Sequence, residues 1–466
     1  MRPRLVLLLA LLALCGCSRA PAATPRRVIL VTCDTLRADR LGAYGYARPT
    51  SPNLDAFAKD GVVFDEAYTT IPITGPALSA LFTGLLPDEL GLAGGNAFLL
   101  GAQATTLAEV LRAAGVRTGA VVSNWVLRAP APEQGDVGLK QGFEHYDDRM
   151  QTREGVRDSF ERLAADTTDA ALRWLDARKA KAEDPLFLWV HYQDPHGPYR
   201  PAPEMLTGLE RPLTDEPELA LGTTRFGKGQ LPRYQDVDGE RAPERYRIRY
   251  DGEVRTFDAH FGRLVAWLKS NGWYDDALVV FTADHGESLG EHDYWFCHGE
   301  NVHREEVRVP LVVKYPRGAT RPKAERVREL ATHLDLWPTV LEAFALPPRP
   351  NRGTSLLVAT LPAERVATQV VREPRAPDRW FAATDGRWRL VQQGAEAPRL
   401  FDVAADPFEA RDLASAEPAR VDELARRAQR FVADHANAPI APARLLPTSE
   451  NQRALQHTGY TGDDEH

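Results

Sequence analysis

The chain has 466 residues, a formal net charge of -8 and four cysteines. That length holds one large core plus a small satellite domain, and the acidic balance without a basic stripe speaks against nucleic acid as the main partner. Four cysteines in so long a chain exclude a disulfide scaffold.

Arg2 and Arg4 precede an apolar run from Leu5 to Leu14. About ten residues are too few to cross a bilayer, which needs roughly twenty. A basic flank before a short apolar core is the layout of an export signal. Leu14-Cys15-Gly16-Cys17 resembles the lipobox of bacterial lipoproteins, with small Gly16 before the acceptor Cys17. The resemblance implies acylation at Cys17 and a lipid anchor on the periplasmic side of a membrane or at the outer membrane, the latter matching Ser18. Residues 1–17 are thus the expected leader and lipobox, and the Ala- and Pro-rich stretch 18–26 a tether. Only Cys33 and Cys297 then remain, expected as two isolated buried thiols although an oxidising compartment leaves their pairing open.

Val28 to Val31 is a continuous apolar run with β-branched residues, as in a strand buried on both faces. Ser51-Pro52 with Gly61 beyond marks a short helix with Ser51 as its N-cap. Thr106 and Glu109 form a capping box for a helix closed by Gly115, and a strand around Ala120 to Ser123 follows. Leu186 to Val190 is the next buried strand, running into the polar stretch His191 to His196. Phe257, Phe261, Leu264, Val265 and Leu268 share one helical face, and Gly272 ends that helix. Leu278 to Phe281 and Val309 to Val313 are further strands. Strands alternating with amphipathic helices predict a doubly wound, mostly parallel α/β sheet over residues 27–345. The stretch from about Glu204 to Tyr246 lacks a period and reads as a surface insertion near the site, where specificity is expected to rest. Past Pro347 the pattern changes. Trp380 to Thr384 and Arg387 to Val391 flank Asp385-Gly386, a hairpin signal. With a strand at Leu400 to Val403 and a helix from roughly Glu417 to His435, residues 346–446 read as a small antiparallel α+β subdomain. Residues 447–466 read as a disordered tail.

Three of the buried strands end in groups that bind metals or move protons: Asp34 after the first, His191, Asp194 and His196 after the second, Asp284 and His285 after the third. In an open parallel sheet, ligands sit beyond the carboxyl ends of the strands. Carboxylate with imidazole is a usual ligand set for a divalent cation in hydrolysis. Thr74-Gly75-Pro76 opens a fourth element, because Pro76 fits the first turn of a helix. The Thr74 hydroxyl is thereby placed at a helix N-terminus that favours an anion, either as nucleophile or as helix cap.

Val31-Thr32-Cys33-Asp34-Thr35-Leu36-Arg37-Ala38-Asp39 resembles the opening motif of bacterial sulfatases, in the alkaline phosphatase superfamily. So do Thr50 to Asp55, Gly61 to Phe64, Thr74 to Gly84, Asp194-Pro195-His196, Phe281 to Glu287, His298-Gly299 and Arg308 to Leu311. Leu400 to Val403 with Asp406-Pro407 resembles the family's carboxyl-terminal subdomain. The resemblance implies an alkaline-phosphatase-like fold and a metal-dependent ester hydrolase. It implies that Asp34, Asp284 and His285 hold the metal with Thr74, which stands where the family keeps its nucleophile. His196 and His298 would contact the transferring group or the leaving oxygen. Arg37 stands in the opening motif, as a catalytic residue or as a structural ion pair. Asp194, His196 and His298 are the candidate second metal position. Imidazole-rich sites favour zinc or manganese, with calcium the second choice.

The departures from the family pattern bear on the substrate. Sulfatases carry Cys or Ser, oxidised to formylglycine, within Cys/Ser-x-Pro-x-Arg, whereas this chain has Thr74-Gly75-Pro76-Ala77-Leu78. A secondary alcohol does not yield that aldehyde, Leu78 supplies no guanidinium, and Thr35 replaces the second Asp of the opening pair. Threonine is the nucleophile in related phosphodiesterases and phosphoglycol transferases. The expected substrate is therefore a sulfate or phosphate ester, with a glycan as one carrier. Two alternatives stand beside hydrolysis: transfer of a phosphate-linked group onto an envelope glycan, and a binding protein that has lost the chemistry.

Overall fold

The computed structural model describes residues 27–150, 152–154, 159–181, 183–372, 379–434 and 440–444. The leader with Cys17, the tether and the expected tail lie outside the described residues.

The apolar runs become neighbouring strands of one large sheet. Its strands are β1 (Arg27–Cys33), β2 (Val62–Tyr68), β3 (Arg117–Val122), β4 (His145–Asp147), β5 (Leu186–Tyr192), β6 (Ala277–Ala283), β7 (Arg308–Lys314), β8 (Arg326–Val327) and β9 (Ala331–Thr332). In space the order is β8-β2-β7-β6-β1-β5-β3-β4, with β9 also beside β2. Among these strands β7 runs against its neighbours β2 and β6, and the other pairings are parallel. The central strands β1, β5 and β6 are buried at every residue, because helices cover both faces.

The helices are α1 (Pro52–Lys59), α2 (Thr74–Thr83), α3 (Leu107–Ala113), α4 (Ala164–Asp176), α5 (Pro243–Ser270), α6 (Leu336–Ala343) and α7 (Pro418–Ala433). On one face Phe57 of α1 meets Phe261 of α5 edge-on at 5.3 Å, and Phe257 stacks on Phe281 of β6 at 5.6 Å. On the other, Phe82 of α2 lies 4.7 Å from Trp189 of β5. Each such fully buried ring contributes about 1.5–3 kcal/mol of transfer free energy. The Thr106 and Glu109 capping box opens α3, with bonds of 3.2 and 2.7 Å.

Ser51, expected as the cap of α1, does not cap it. Its hydroxyl accepts from the Gly42 N–H and donates to Asp55. The free N–H groups of Asn53 and Leu54 go instead to the Asp258 carboxylate of α5, at 3.0 and 2.8 Å. A helix end capped from another helix ties α1 to α5. The stretch 204–246 is irregular and largely exposed, as expected, and is anchored by single buried side chains. Leu209, Leu231 and Gln235 are fully buried, and its last residues already belong to α5.

The C-terminal sheet is an antiparallel meander of β10 (Ala367–Arg372), β11 (Arg379–Thr384), β12 (Trp388–Gln393) and β13 (Arg399–Asp402). The β11–β12 turn falls at Asp385-Gly386, where Gly386 takes the left-handed conformation (φ +98°) that favours glycine. Leu424 and Ala428 of α7 pack on Leu390 and Leu400. Trp380, Val391 and Phe401 pack with Tyr68, Ile71, Ile73 and Ala77 of the larger domain. The meander therefore braces the segment that enters α2.

Candidate active site

The register of the central strands builds the site. Thr32 of β1 pairs with His191 of β5 on one side and Thr282 of β6 on the other. Past the strand ends the ladder continues, with Asp34 N–H donating to Tyr192 O and Asp284 N–H to Cys33 O. Asp34 and Asp284 thus leave the sheet at one level, side by side. Thr35 then takes a left-handed backbone (φ +55°), strained for a β-branched residue. In that conformation its N–H donates to Asp284 Oδ1 at 3.1 Å, and His285 N–H reaches the same oxygen at 2.7 Å.

Around the two carboxylates the ring nitrogens converge. His285 Nε2 lies 3.9 Å from Asp34 Oδ1 and 3.6 Å from Asp284 Oδ2. His191 Nε2 lies 3.6 Å from Asp34 Oδ2, which also accepts from the Asn124 amide. Thr74 Oγ1 is 3.3 Å from His285 Nε2. Thr74 is the first residue of α2 and makes no capping hydrogen bond with its own helix. Ile73, not Thr74, holds the N-cap position, and the Thr74 hydroxyl turns to His285. Gly75 N–H donates to Asn96 Oδ1 at 2.9 Å, and a Cβ at Gly75 would meet that oxygen at 2.6 Å. Only glycine lets Asn96 approach so closely.

Asp34, Asp284 and His285 are fully buried, and Thr74 is nearly so. Burial alone would lift Asp34, but His196, His191 and His285 outweigh it and hold the carboxyl well below its ordinary value. Asp284 goes the other way, pushed well above by burial and then by the charge of Asp34. Burial and the neighbouring His298 hold His285 well below the ordinary imidazole value. Asp34 Oδ1, Asp284 Oδ2, His191 Nε2 and Thr35 Oγ1 have no hydrogen-bond partner, although all are buried. Buried polar atoms are rarely left so. Two carboxylates with imidazole nitrogens and orphaned oxygens aimed together fit a divalent cation.

His298 and His196 stand on the open side. The His298 ring is 4.6 Å from that of His285 and 5.1 Å from that of His196. His298 Nδ1 is held by Glu287 Oε1 at 2.9 Å, and Tyr199 OH donates to the other Glu287 oxygen. Tyr234, from the 204–246 stretch, lies 6.2 Å from the His196 ring.

Of the two roles open to Arg37, the structural ion pair is the one the contacts match. Arg37 is not directed at the carboxylates: it pairs with Asp39 (2.7 Å) and Glu291 (2.9 Å) and donates to Glu287 O. With a further bond from Nε to Asp39, the guanidinium is a buried ion-pair node. Asp194, His196 and His298 do not gather as a ligand cluster within 4.8 Å among the described residues. Asp194 Oδ2 is buried without a hydrogen-bond partner, and burial lifts the carboxyl to about 6. Cys33 and Cys297 are separate buried thiols, Cys33 donating to Asp194 O. Asn124 and Asn96 belong to the site without standing in any of the motifs above, and His191 adds to the expected ligand set. Asn124 follows the end of β3 by two residues, so the strand-end rule that found Asp34 covers it too. Nothing local marks Asn96.

The sulfatase family model matches residues 26–346. The multifunctional alkaline phosphatase superfamily protein PehA of Trinickia caryophylli is 25% identical over 515 residues, spanning 91% of this chain and 98% of its own length. The N-acetylglucosamine-6-O-sulfatase of Bacteroides thetaiotaomicron is 24% identical over 431 residues, spanning 76% and 74%. In fold the chain is similar to the phosphonate monoester hydrolase of Agrobacterium radiobacter, with a TM-score of 0.70 at 21% identity over 90% of this chain and all of that one. Strand order, the paired aspartates at the ends of β1 and β6 and a match across the larger domain agree: this chain belongs to the sulfatase family.

Proposed function

We propose that the chain hydrolyses esters of sulfuric or phosphoric acid, with Thr74 as nucleophile and a divalent cation held by Asp34, Thr74, Asp284 and His285. One observation carries the reading: a threonine hydroxyl that caps no helix lies among buried carboxylate oxygens without partners. When bound, the cation supplies the pull that acidifies a coordinated hydroxyl and neutralises the non-bridging oxygens. Thr74 Oγ1 releases its proton to solvent and bonds to the sulfur or phosphorus, and the ester bond to the leaving oxygen breaks. His298, oriented by Glu287, or neighbouring His196 gives that oxygen its proton. Water then cleaves the Thr74 ester and regenerates the hydroxyl. Asn96, whose amide nitrogen has no protein partner, is placed to donate to a substrate oxygen beside Gly75.

Threonine rather than a formylglycine precursor favours phosphoester chemistry, whereas relatives named for a sugar sulfate favour sulfate. The leader sequence supports a place at the cell envelope through acylated Cys17, with substrates there that include glycans. A panel of aryl sulfate, phosphate monoester and phosphodiester tests the reading. Turnover of at least one class, lost in Thr74→Ala, is expected. No turnover of any class by metal-loaded protein would refute it.

A further inference from the structure

A second cluster of ligand-type side chains lies where the small subdomain meets the larger domain. His292 is in the loop between the paired segments Ser288–Leu289 and Trp295–Cys297, His303 precedes the short helix Arg304–Val307, and Glu409 follows β13. One ligand atom from each of His292, His303 and Glu409 lies within 4.8 Å of the others. His303 Nδ1 and Glu409 Oε2 are 2.7 Å apart, and the two imidazoles stack at 3.7 Å between centroids. A second carboxylate faces them, with Glu305 Oε2 3.9 Å from His292 Nε2.

The partnering is incomplete. Glu409 is satisfied by His303 and Arg389. His292 Nε2 and Glu305 Oε1 are buried without a hydrogen-bond partner, and the Glu305 side chain is only 4% exposed. A buried carboxylate oxygen and a buried imidazole nitrogen left without hydrogen bonds are a costly arrangement. We infer that His292, His303 and Glu409, faced by Glu305, bind a divalent transition metal of the zinc type, separate from the cation at Asp34.

Binding requires two small movements. Ligand atoms about 2.0–2.1 Å from a tetrahedral zinc stand roughly 3.3 Å apart, so the His303–Glu409 contact opens as the metal replaces the shared proton. Parallel rings cannot both aim an in-plane lone pair at one ion, so His292 turns. It is the member free to do so, with its side chain 17% exposed on a loop. The ion would clamp the loop that leads to His298 against the subdomain's Glu409.

The test is zinc stoichiometry on chelator-stripped protein, by equilibrium dialysis and elemental analysis. Wild type is expected to take two equivalents, Asp34→Ala/Asp284→Ala one, and His292→Ala one. Zinc should also raise the melting temperature of Asp34→Ala/Asp284→Ala, and that rise should vanish when His292→Ala is added. Absence of zinc from Asp34→Ala/Asp284→Ala overturns the inference whatever wild type holds. So does undiminished zinc in His292→Ala. Because the Asp34 site is absent from the double variant, its failure and failure of this cluster read out separately.

Discussion

Replacing Thr74 by valine separates chemistry from structure. Valine keeps the shape and exchanges the hydroxyl for a methyl group. Thr74 is buried, and its hydroxyl contacts His285 Nε2 at 3.3 Å but gives α2 no cap. The structural loss is thus one buried polar contact, about 1 kcal/mol, and a melting temperature lower by a few degrees at most. Loss of the nucleophile should cost at least about three orders of magnitude in kcat/KM, or roughly 4 kcal/mol at about 1.4 kcal/mol per decade. The assay pairs thermal unfolding with turnover of the preferred ester, at equal metal loading, for Thr74→Val and Thr74→Ser. Serine should retain measurable turnover because it keeps a coordinating hydroxyl. Turnover of Thr74→Val within tenfold of wild type would refute the reasoning and move the nucleophile to an activated water.

If His298 protonates the leaving oxygen, His298→Gln should slow an alkyl ester by about 10²–10⁴-fold and a nitrophenyl ester far less; equal losses on both would reject that role. Burial lifts Asp258 to about 6 despite its N–H donors. The folded state then keeps a proton that the unfolded chain releases from about pH 4, so this group's stabilisation is present below that pH and is lost as pH rises to 6. Asp258→Asn should remove that decline, up to about 3 kcal/mol at about 1.4 kcal/mol per pH unit, in urea unfolding at pH 4, 5, 6 and 7; an unchanged slope would contradict it. Cys17→Ser should release the protein from the membrane fraction, and retention there would reject acylation.

The parts of this fold that were readable from residues are those with local causes. The buried strands show as unbroken β-branched runs, the α3 start as a Thr106 and Glu109 box, and the β11–β12 turn as Asp-Gly. Asp34, Asp284 and His285 were legible because they follow such runs directly. What stayed hidden depends on partners far away in sequence. The α1 cap comes from Asp258, some 200 residues on, and no local pattern distinguishes it from Ser51. Asp194 looked like a ligand from its place beside His196, but the folded chain does not gather it with His196 and His298. Arg37 likewise meets Glu291 only in the folded chain. The stretch 204–246 has no period because irregular backbone packs its side chains singly, Tyr234 among them.

The central claim is that Asp34 and Asp284 hold the cation on which ester cleavage depends. Its most direct test measures metal content and turnover together, in wild type and Asp284→Ala, before and after chelation and reloading. The account predicts that wild-type turnover disappears with chelation and returns on reloading with zinc or manganese. It predicts that Asp284→Ala holds one equivalent less than wild type and turns over nothing at any loading. Equal metal content in the two proteins, or full turnover by the stripped wild type, would contradict it.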